Sequence, residues 1–131
     1  MNHQLRLHHI GLQCSDINKA RIFYQDVLGL ALKKTFVLSR ELSNKIFDLY
    51  IPIDVLVFQN DALSIEVFIV PKHIKNKTTA HNCIIVPDVK EFINHCQSKN
   101  VESFSVKKGE KCLWFIKDFS GNLFELKEGK E

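Results

Sequence analysis

The sequence repeats itself, and this duplication constrains the fold more than any other feature. Each half begins with a histidine, His9 or His81, runs through a short apolar stretch and reaches an aspartate seven residues later, Asp16 or Asp88. Behind each aspartate the apolar residues recur every three or four positions, a spacing that marks one face of a helix. Such a repeat predicts one supersecondary arrangement that is built twice along the chain.

Residues that are typical of helix ends and of strands also mark the predicted elements. Asp16 and Asp88 are predicted N-caps, and Gly29 and Asn100 fit the left-handed position that follows a helix. Stretches rich in β-branched and aromatic residues predict the strands, at residues 30–38, 53–58, 63–70, 103–106 and 111–116 and again after residue 122. Residues 39–50 are either a short helix or an ordered loop. The predicted fold class is α+β, with two tandem β-α-β-β-β modules, about residues 5–70 and 81–128, in a single domain of residues 1–131.

Size and charge exclude several classes of protein. The chain has 131 residues, of which 45% are hydrophobic, and a formal net charge of +3. These values are typical of one globular domain, and the mild, scattered charge favours neither nucleic acid nor a membrane as a partner. The amino terminus carries no apolar signal core, so we expect a cytoplasmic protein. The four cysteines form no C-x-x-C pair, and we expect free thiols that are buried as small apolar groups.

Each half carries a second potential metal ligand. A turn followed by an apolar strand brings Glu66 into the first half and Glu125 into the second. Strand alternation places His9, Glu66, His81 and Glu125 on one sheet face in each module, opposite the more uniformly apolar face that we expect the helices to cover. Two imidazoles and two carboxylates suit a divalent transition metal, with further positions open to water or a chelating substrate. We therefore predict a concave metal or ligand site.

The same alternation gives candidate contacts for a substrate. Gln13 and Phe68 share the face of His9 and Glu66. Cys83 and Lys127 share the face of His81 and Glu125, with Cys83 as a thiol lining the site and Lys127 as a candidate for binding an anionic group. The remaining histidines match nothing in the repeat, and His8 falls on the opposite strand face, so we interpret them as surface residues.

The motifs described above, together with Phe23-Tyr24, Val27-Leu28-Gly29-Leu30 and residues 117–126, resemble the vicinal oxygen chelate superfamily. This superfamily includes glyoxalase I, methylmalonyl-CoA epimerase, extradiol dioxygenases and the fosfomycin and bleomycin resistance proteins. The resemblance covers about residues 5–126 and implies strands curled around a metal or ligand, in a homodimer. The two His–Glu pairs are most similar to those of glyoxalase I, which implies zinc or nickel as cofactor, with cobalt, manganese or iron as alternatives.

The resemblance also implies a reaction and a small-molecule substrate. In the implied reaction the metal stabilises an enediolate. Glu125, or Glu66, takes a proton from the carbon next to a carbonyl and returns it to the neighbouring carbon. Two departures argue against a glutathione hemithioacetal as substrate. Gln13 stands where glyoxalase I usually has the arginine that binds a glutathione carboxylate, and Val70 stands where it usually has asparagine.

The sequence leaves three functions open. The first is a glyoxalase-like lyase or isomerase that acts on a small substrate. The second is a non-catalytic protein of the bleomycin-resistance type that sequesters a ligand, which the apolar residues Phe68, Val70 and Ile85 favour. The third is an iron-dependent dioxygenase, which four protein ligands disfavour because they leave few positions for oxygen and substrate. The pattern also leaves open whether the four ligands meet within one chain or across a dimer.

Overall fold

The computed structural model of the chain describes residues 4–74 and 80–129. It divides the chain into two compact units, Met1–Ile74 and Lys75–Glu131, and each contains one four-stranded sheet. The boundary falls in the predicted loop of residues 71–79, of which residues 75–79 lie outside the described part. That the two modules form a single domain stays a prediction. No helix within the described residues is long and apolar enough to span a membrane.

The first module runs β1 (Ile10–Cys14), α1 (Ile17–Arg21), β2 (Ala31–Leu38), α2 (Arg40–Phe47), β3 (Ile53–Gln59) and β4 (Ser64–Ile69). Its sheet has the order β1-β4-β3-β2, with β1 parallel to β4 and the other neighbours antiparallel. Beyond Arg21, α1 continues as a π-helical turn, Ile22–Val27. This turn brings Phe23, Tyr24 and Val27 to the buried side.

The second module repeats this topology without the inserted helix. It runs β5 (Asn82–Val86), α3 (Val89–Ser98), β6 (Glu102–Lys108), β7 (Lys111–Lys117) and β8 (Leu123–Glu128). The strand order is β5-β8-β7-β6, again with one parallel pair, β5 with β8. Two tandem modules in an α+β fold are therefore confirmed.

Local signals fix the helix ends as the sequence predicts. The carboxylate of Asp16 accepts a hydrogen bond from the Lys19 amide, and that of Asp88 accepts one from the Glu91 amide, both at 3.0 Å. Each such cap stabilises a helix by about 1 kcal/mol, because it satisfies an amide that has no partner inside the helix. Gly29 has φ +73° and Asn100 has φ +60°, which is the left-handed conformation that ends a helix.

Much of the core of each module lies on the sheet face that α1 or α3 covers, here called the helix face. In the first module the Tyr24 ring stacks on Phe58 at 5.4 Å, and Ile65 and Val67 are fully buried. In the second module Phe124 and Ile116 are fully buried on that face, while α3 contributes Ile93 and Cys96. Removing this apolar surface from water stabilises each module.

The opposite face carries His9 and Glu66 in the first module and His81 and Glu125 in the second, and is called the His–Glu face below. One end of it is covered in the first module. Residues 39–50, which the sequence left as helix or loop, contain α2, and the chain that follows packs over Ile53, Val55 and Val70. The residues packed on this cluster are Leu38, Leu49, Ile51, Phe68 and Ile74.

The prediction that all four cysteines are buried is wrong for two of them. Cys14 and Cys96 are buried, whereas Cys83 and Cys112 are exposed, and all four are free thiols. Cys83 is exposed because its strand position lies on the open His–Glu face of the second module. Cys112 lies near the start of β7, close to the hairpin turn, where little of the module covers the strand.

Candidate metal and substrate site

The first module brings His9 and Glu66 together through a parallel strand pair. Gly11 on β1 is the register partner of Glu66 on β4, and His9 precedes Gly11 by two residues. Because strand side chains alternate between faces, His9 and Gly11 share the face of Glu66. Nδ1 of His9 lies 3.3 Å from Oε2 of Glu66, and the two side chains are 39% and 19% exposed. The predicted pairing is therefore present, in a position that solvent can reach.

The second module repeats this arrangement with the same offset. Cys83 on β5 is the register partner of Glu125 on β8, and His81 precedes Cys83 by two residues. Nε2 of His81 lies 3.8 Å from Oε1 of Glu125, with side-chain exposures of 45% and 18%. In both modules the histidine stands one residue before the strand begins, rather than inside it. The duplicated sequence thus produces a duplicated His–Glu pair.

The donor types of both pairs, and the distance within the first pair, fit ligation of a divalent metal. Two donors about 2.1 Å from a common ion, at angles between octahedral and tetrahedral, lie about 3.0–3.4 Å apart. The first pair meets this separation, and the second would have to close slightly, which its exposed imidazole allows. Within residues 4–74 and 80–129, however, no three His, Cys, Asp or Glu side chains come close enough to hold a metal ion. The four predicted ligands therefore stand as two pairs, one in each module.

His8 makes a contact that the sequence reasoning missed. Its Nδ1 lies 2.9 Å from Nδ1 of His9, with the two rings edge to face at 5.1 Å. Strand alternation assigns adjacent residues to opposite faces, but His8 lies two residues before β1 begins at Ile10, so the strand pattern does not extend to it. The two adjacent histidines in the sequence were the signal from which this contact could have been predicted. His8 thereby helps to hold the imidazole of its neighbour.

Gln13 and Phe68 line the His–Glu face of the first module. The Gln13 side-chain amide donates a 2.9 Å hydrogen bond to the Ile74 carbonyl, so it ties down the chain that follows β4. The Phe68 ring lies over Gly11, where a Cβ atom would be 3.3 Å from its Cε1. The ring also packs edge to face against Phe47 of α2 at 5.2 Å. Of the two predicted substrate contacts, Phe68 is the one whose side chain adjoins the His9–Glu66 pair.

Cys83 and Lys127 line the corresponding face of the second module. Cys83 lies across from Glu125, and Lys127, which follows Glu125 by two residues, lies across from Ile85. Near Glu125, three side chains are exposed: Cys83, Lys127 and Ile85, the last at 71%. This part of the face is therefore more open than its counterpart beside Glu66.

An aromatic pair adjoins Glu125 on its other side, and the sequence analysis did not identify it. Phe115 on β7 is the register partner of Glu125, and Phe104 on β6 is the partner of Phe115. The two rings stack at 5.2 Å and 14°. The Lys117 ammonium lies 5.8 Å from the centre of the Phe104 ring and 3.7 Å from a carboxylate oxygen of Glu102. The pairing of residues across the β6–β7 hairpin was the signal from which the position of these rings beside Glu125 could have been predicted.

Comparison with known proteins agrees with this architecture. The family model Glyoxalase/Bleomycin resistance protein/Dioxygenase superfamily matches residues 6–126. A glyoxalase family protein from Enterococcus faecalis superimposes with a TM-score of 0.69 at 19% identity, over 92% of this chain and 95% of that one. The fosfomycin resistance protein FosX from Listeria monocytogenes, complexed with Mn(II) and sulfate ion, gives 0.72 at 21% identity, over 98% and 93% of the two chains. Comparison of the sequence with curated proteins gives no significant match.

Proposed function

Because the chain belongs to the glyoxalase/bleomycin resistance protein/dioxygenase superfamily, we propose that it is a metal-dependent enzyme that moves a proton next to a carbonyl group of a small substrate. The observation that carries this proposal is the duplicated His–Glu pair, with the same register offset in both modules. The pair recurs in both modules although the residues around it differ, Gly11 against Cys83 and Phe68 against Lys127, which favours a common role for the four side chains. The reaction class is that of a glyoxalase-like lyase or isomerase.

His9, Glu66, His81 and Glu125 are the proposed metal ligands. Imidazole and carboxylate donors suit zinc or nickel, and cobalt, manganese or iron as alternatives. One site with all four ligands requires the two pairs to meet, either in one chain or across two copies in a homodimer. A divalent cation held there would polarise a substrate carbonyl as a Lewis acid.

Glu125 is the proposed proton carrier, and Glu66 is the alternative. A carboxylate that takes up and returns a proton has to be free to swing away from its neighbours. The His81–Glu125 contact, at 3.8 Å, is looser than the His9–Glu66 contact at 3.3 Å. Exposed Cys83 and Lys127 beside Glu125 leave room for a substrate there. Gln13, Phe68, Cys83 and Lys127 complete the proposed substrate contacts.

The runner-up function is sequestration of a ligand without chemistry, as in bleomycin resistance proteins. The exposed Ile85 and the Phe68 ring favour it, because they give the His–Glu face apolar surface beside its polar pairs. Metal binding and proton exchange distinguish the two functions.

The test measures metal content and proton exchange in the same samples. Protein purified without a tag is loaded with zinc or nickel, dialysed and analysed for metal per chain, beside His81→Ala, Glu66→Gln and the exposed control His73→Ala. We expect about one metal per chain in the wild type and the control, and loss in both pair variants. The metal-replete protein should then incorporate solvent deuterium into a small 2-oxo or hemithioacetal substrate. Metal uptake without any exchange would overturn the proposed reaction, and no uptake would refute the metal site and favour sequestration.

A further inference from the structure

An open groove lies on the helix face of the second module, between α3 and the strands β7 and β8. Its volume is about 1000 Å³, which is the size of a site for a small molecule. Lys90, Asn94 and Gln97 follow one side of α3 along the groove, at the spacing of one helix face. Lys111 and Cys112, at the start of β7, form the other side. The groove is therefore built entirely from residues of one module.

The floor of this groove is apolar. Trp114 on β7 and Leu126 on β8 are register partners, and both lie on the helix face. Leu126 and Ile93 of α3 are each 5% exposed, whereas Trp114 keeps part of its surface open to solvent. An indole offers a flat apolar surface on which a second aromatic ring can stack. The floor thus suits a planar, apolar group.

The corresponding place in the first module is filled. Leu56 is the counterpart of Trp114, since each pairs with the residue that follows the glutamate of its module, and Leu56 is fully buried. The eighth residue after the N-cap is Tyr24 in the first module and Cys96 in the second. The thiol is much smaller than the phenol ring, so α3 brings less side-chain volume to its sheet. The groove is therefore a feature of the second module and not of the repeated unit.

The charged side chains at the groove make it positive. Lys90 and Lys111 are both exposed there. The carboxylate of Glu128 accepts a 3.0 Å hydrogen bond from the first amide of α3, so it is already engaged by the helix. Strand alternation directs the side chains of Glu125 and Lys127 to the opposite face of the sheet. Two ammonium groups thus border an apolar floor, and such a combination is complementary to an anion with an apolar body.

We propose that this groove binds an aromatic carboxylate, with its ring system on Trp114 and its carboxylate between Lys90 and Lys111. This second binding site is independent of the proposed function, because it lies on the opposite face of the sheet from the His81–Glu125 pair and requires no metal.

A matched pair of probes tests both parts of this chemistry. 2-Naphthoate and 2-naphthamide have the same rings, but only the first carries a charge. Trp114 is the only tryptophan of the chain, so quenching of its fluorescence, corrected for absorption by the ligand, reports binding at the groove. The proteins are the wild type, Lys90→Gln, Lys111→Gln and the double variant, with Lys33→Gln, an exposed lysine of the first module, as the control. The thermal midpoint of unfolding is recorded for each protein.

Two cysteines locate the bound ligand. Cys112 lines the groove, whereas Cys83 lies on the opposite sheet face, and both thiols are exposed. With 2-naphthoate at about ten times its dissociation constant, modification of Cys112 by a thiol reagent should slow about tenfold, because only about one-tenth of the protein stays unliganded. Modification of Cys83 should keep its rate. Peptide mass mapping distinguishes the two positions.

We expect the wild type and Lys33→Gln to bind 2-naphthoate about tenfold more tightly than 2-naphthamide. Each single groove variant should weaken binding of 2-naphthoate about threefold, and the double variant should bind the two compounds within about twofold of each other. Absence of saturable binding to the folded wild type would overturn the proposal. A preference for the anion that survives in the folded lysine variants, or no selective protection of Cys112, would also overturn it.

Discussion

Nε2 of His81 lies 3.8 Å from Oε1 of Glu125, whereas in the first pair the other ring nitrogen, Nδ1 of His9, lies 3.3 Å from Oε2 of Glu66. The two pairs share one register offset, so their strand positions do not account for the difference. The first pair is bordered by the packed Phe68 ring, and the second by exposed side chains. The same duplicated unit therefore places its two carboxylates at different distances from their histidines and in different surroundings.

This difference predicts that Glu66→Gln and Glu125→Gln have different effects on metal affinity and on deuterium exchange. A neutral amide is a weaker ligand than a carboxylate, so the tightly paired Glu66 should contribute more to metal affinity. We expect Glu66→Gln to weaken metal binding at least tenfold, and Glu125→Gln to weaken it less while abolishing deuterium exchange. Competition titration with a metal-chelating dye measures the first effect, and proton NMR in D2O measures the second. Equal loss of affinity in both variants, with exchange retained in Glu125→Gln, would contradict the assignment.

Gly11→Ala should disturb the Phe68 ring without unfolding the module. The new methyl group would sit 3.3 Å from the ring edge, so the ring has to move by a few tenths of an ångström. We expect a loss of about 1 kcal/mol in the free energy of unfolding, at the low end of the cost of overpacking, because only one contact with a side chain is strained. Urea denaturation measures this change, and metal content should stay at the wild-type value. A loss of several kcal/mol would show that the ring cannot move.

The buried Asp118 should be important for the turn that leads into the strand of Glu125. Its carboxylate accepts hydrogen bonds from the Ser120 and Asn122 amides, at 2.9 and 2.8 Å, and from the Asn122 side chain. Asp118→Ala leaves these donors without this partner, and we expect a loss of about 2–3 kcal/mol in the free energy of unfolding. Asp61 is exposed and lies in the matching turn of the first module, so Asp61→Ala should change the free energy of unfolding by less than about 0.5 kcal/mol. Similar losses in both variants would contradict this role.

Two of the four thiols should react with a thiol reagent in the native protein, and the other two should be protected from it. Cys83 and Cys112 are exposed, whereas Cys14 and Cys96 are buried. We expect a thiol-specific chromogenic reagent to modify two cysteines per chain in the native protein and four in denaturant. Peptide mass mapping identifies the modified positions. Rapid modification of Cys96 in the native protein would show that α3 opens readily.

Stability should decline at high pH through Cys96. Burial raises the pKa of this thiol from its ordinary value of 9.0 to about 11. The native state favours the neutral thiol, so this contribution is complete below pH 9 and is lost as the pH rises through 11. Between pH 9 and 11 we expect the wild type to lose roughly 1–2 kcal/mol more unfolding free energy than Cys96→Ala, by urea titration at each pH. Parallel losses in both proteins would refute the contribution of this thiol.

Most of the fold could be predicted from local sequence signals. The aspartate caps, the left-handed Gly29 and Asn100, and the alternation of the strands act over a few residues, so their physical causes are visible in the sequence. The partnership of His9 with Glu66 could be predicted only because the unit occurs twice. Residues 39–50 could not be assigned, because α2 is short and its stability depends on packing against Phe68.

The sequence by itself determined the order of elements in the two modules and the identity of the two His–Glu pairs, because periodicity and duplication are properties of residue order. Only the tertiary structure decided what surrounds each pair. The ring over Gly11, the aromatic pair beside Glu125 and the exposure of Cys83 depend on strand register and on packing between residues far apart in the chain. Such contacts involve shape complementarity across elements, and a linear pattern carries little information about shape.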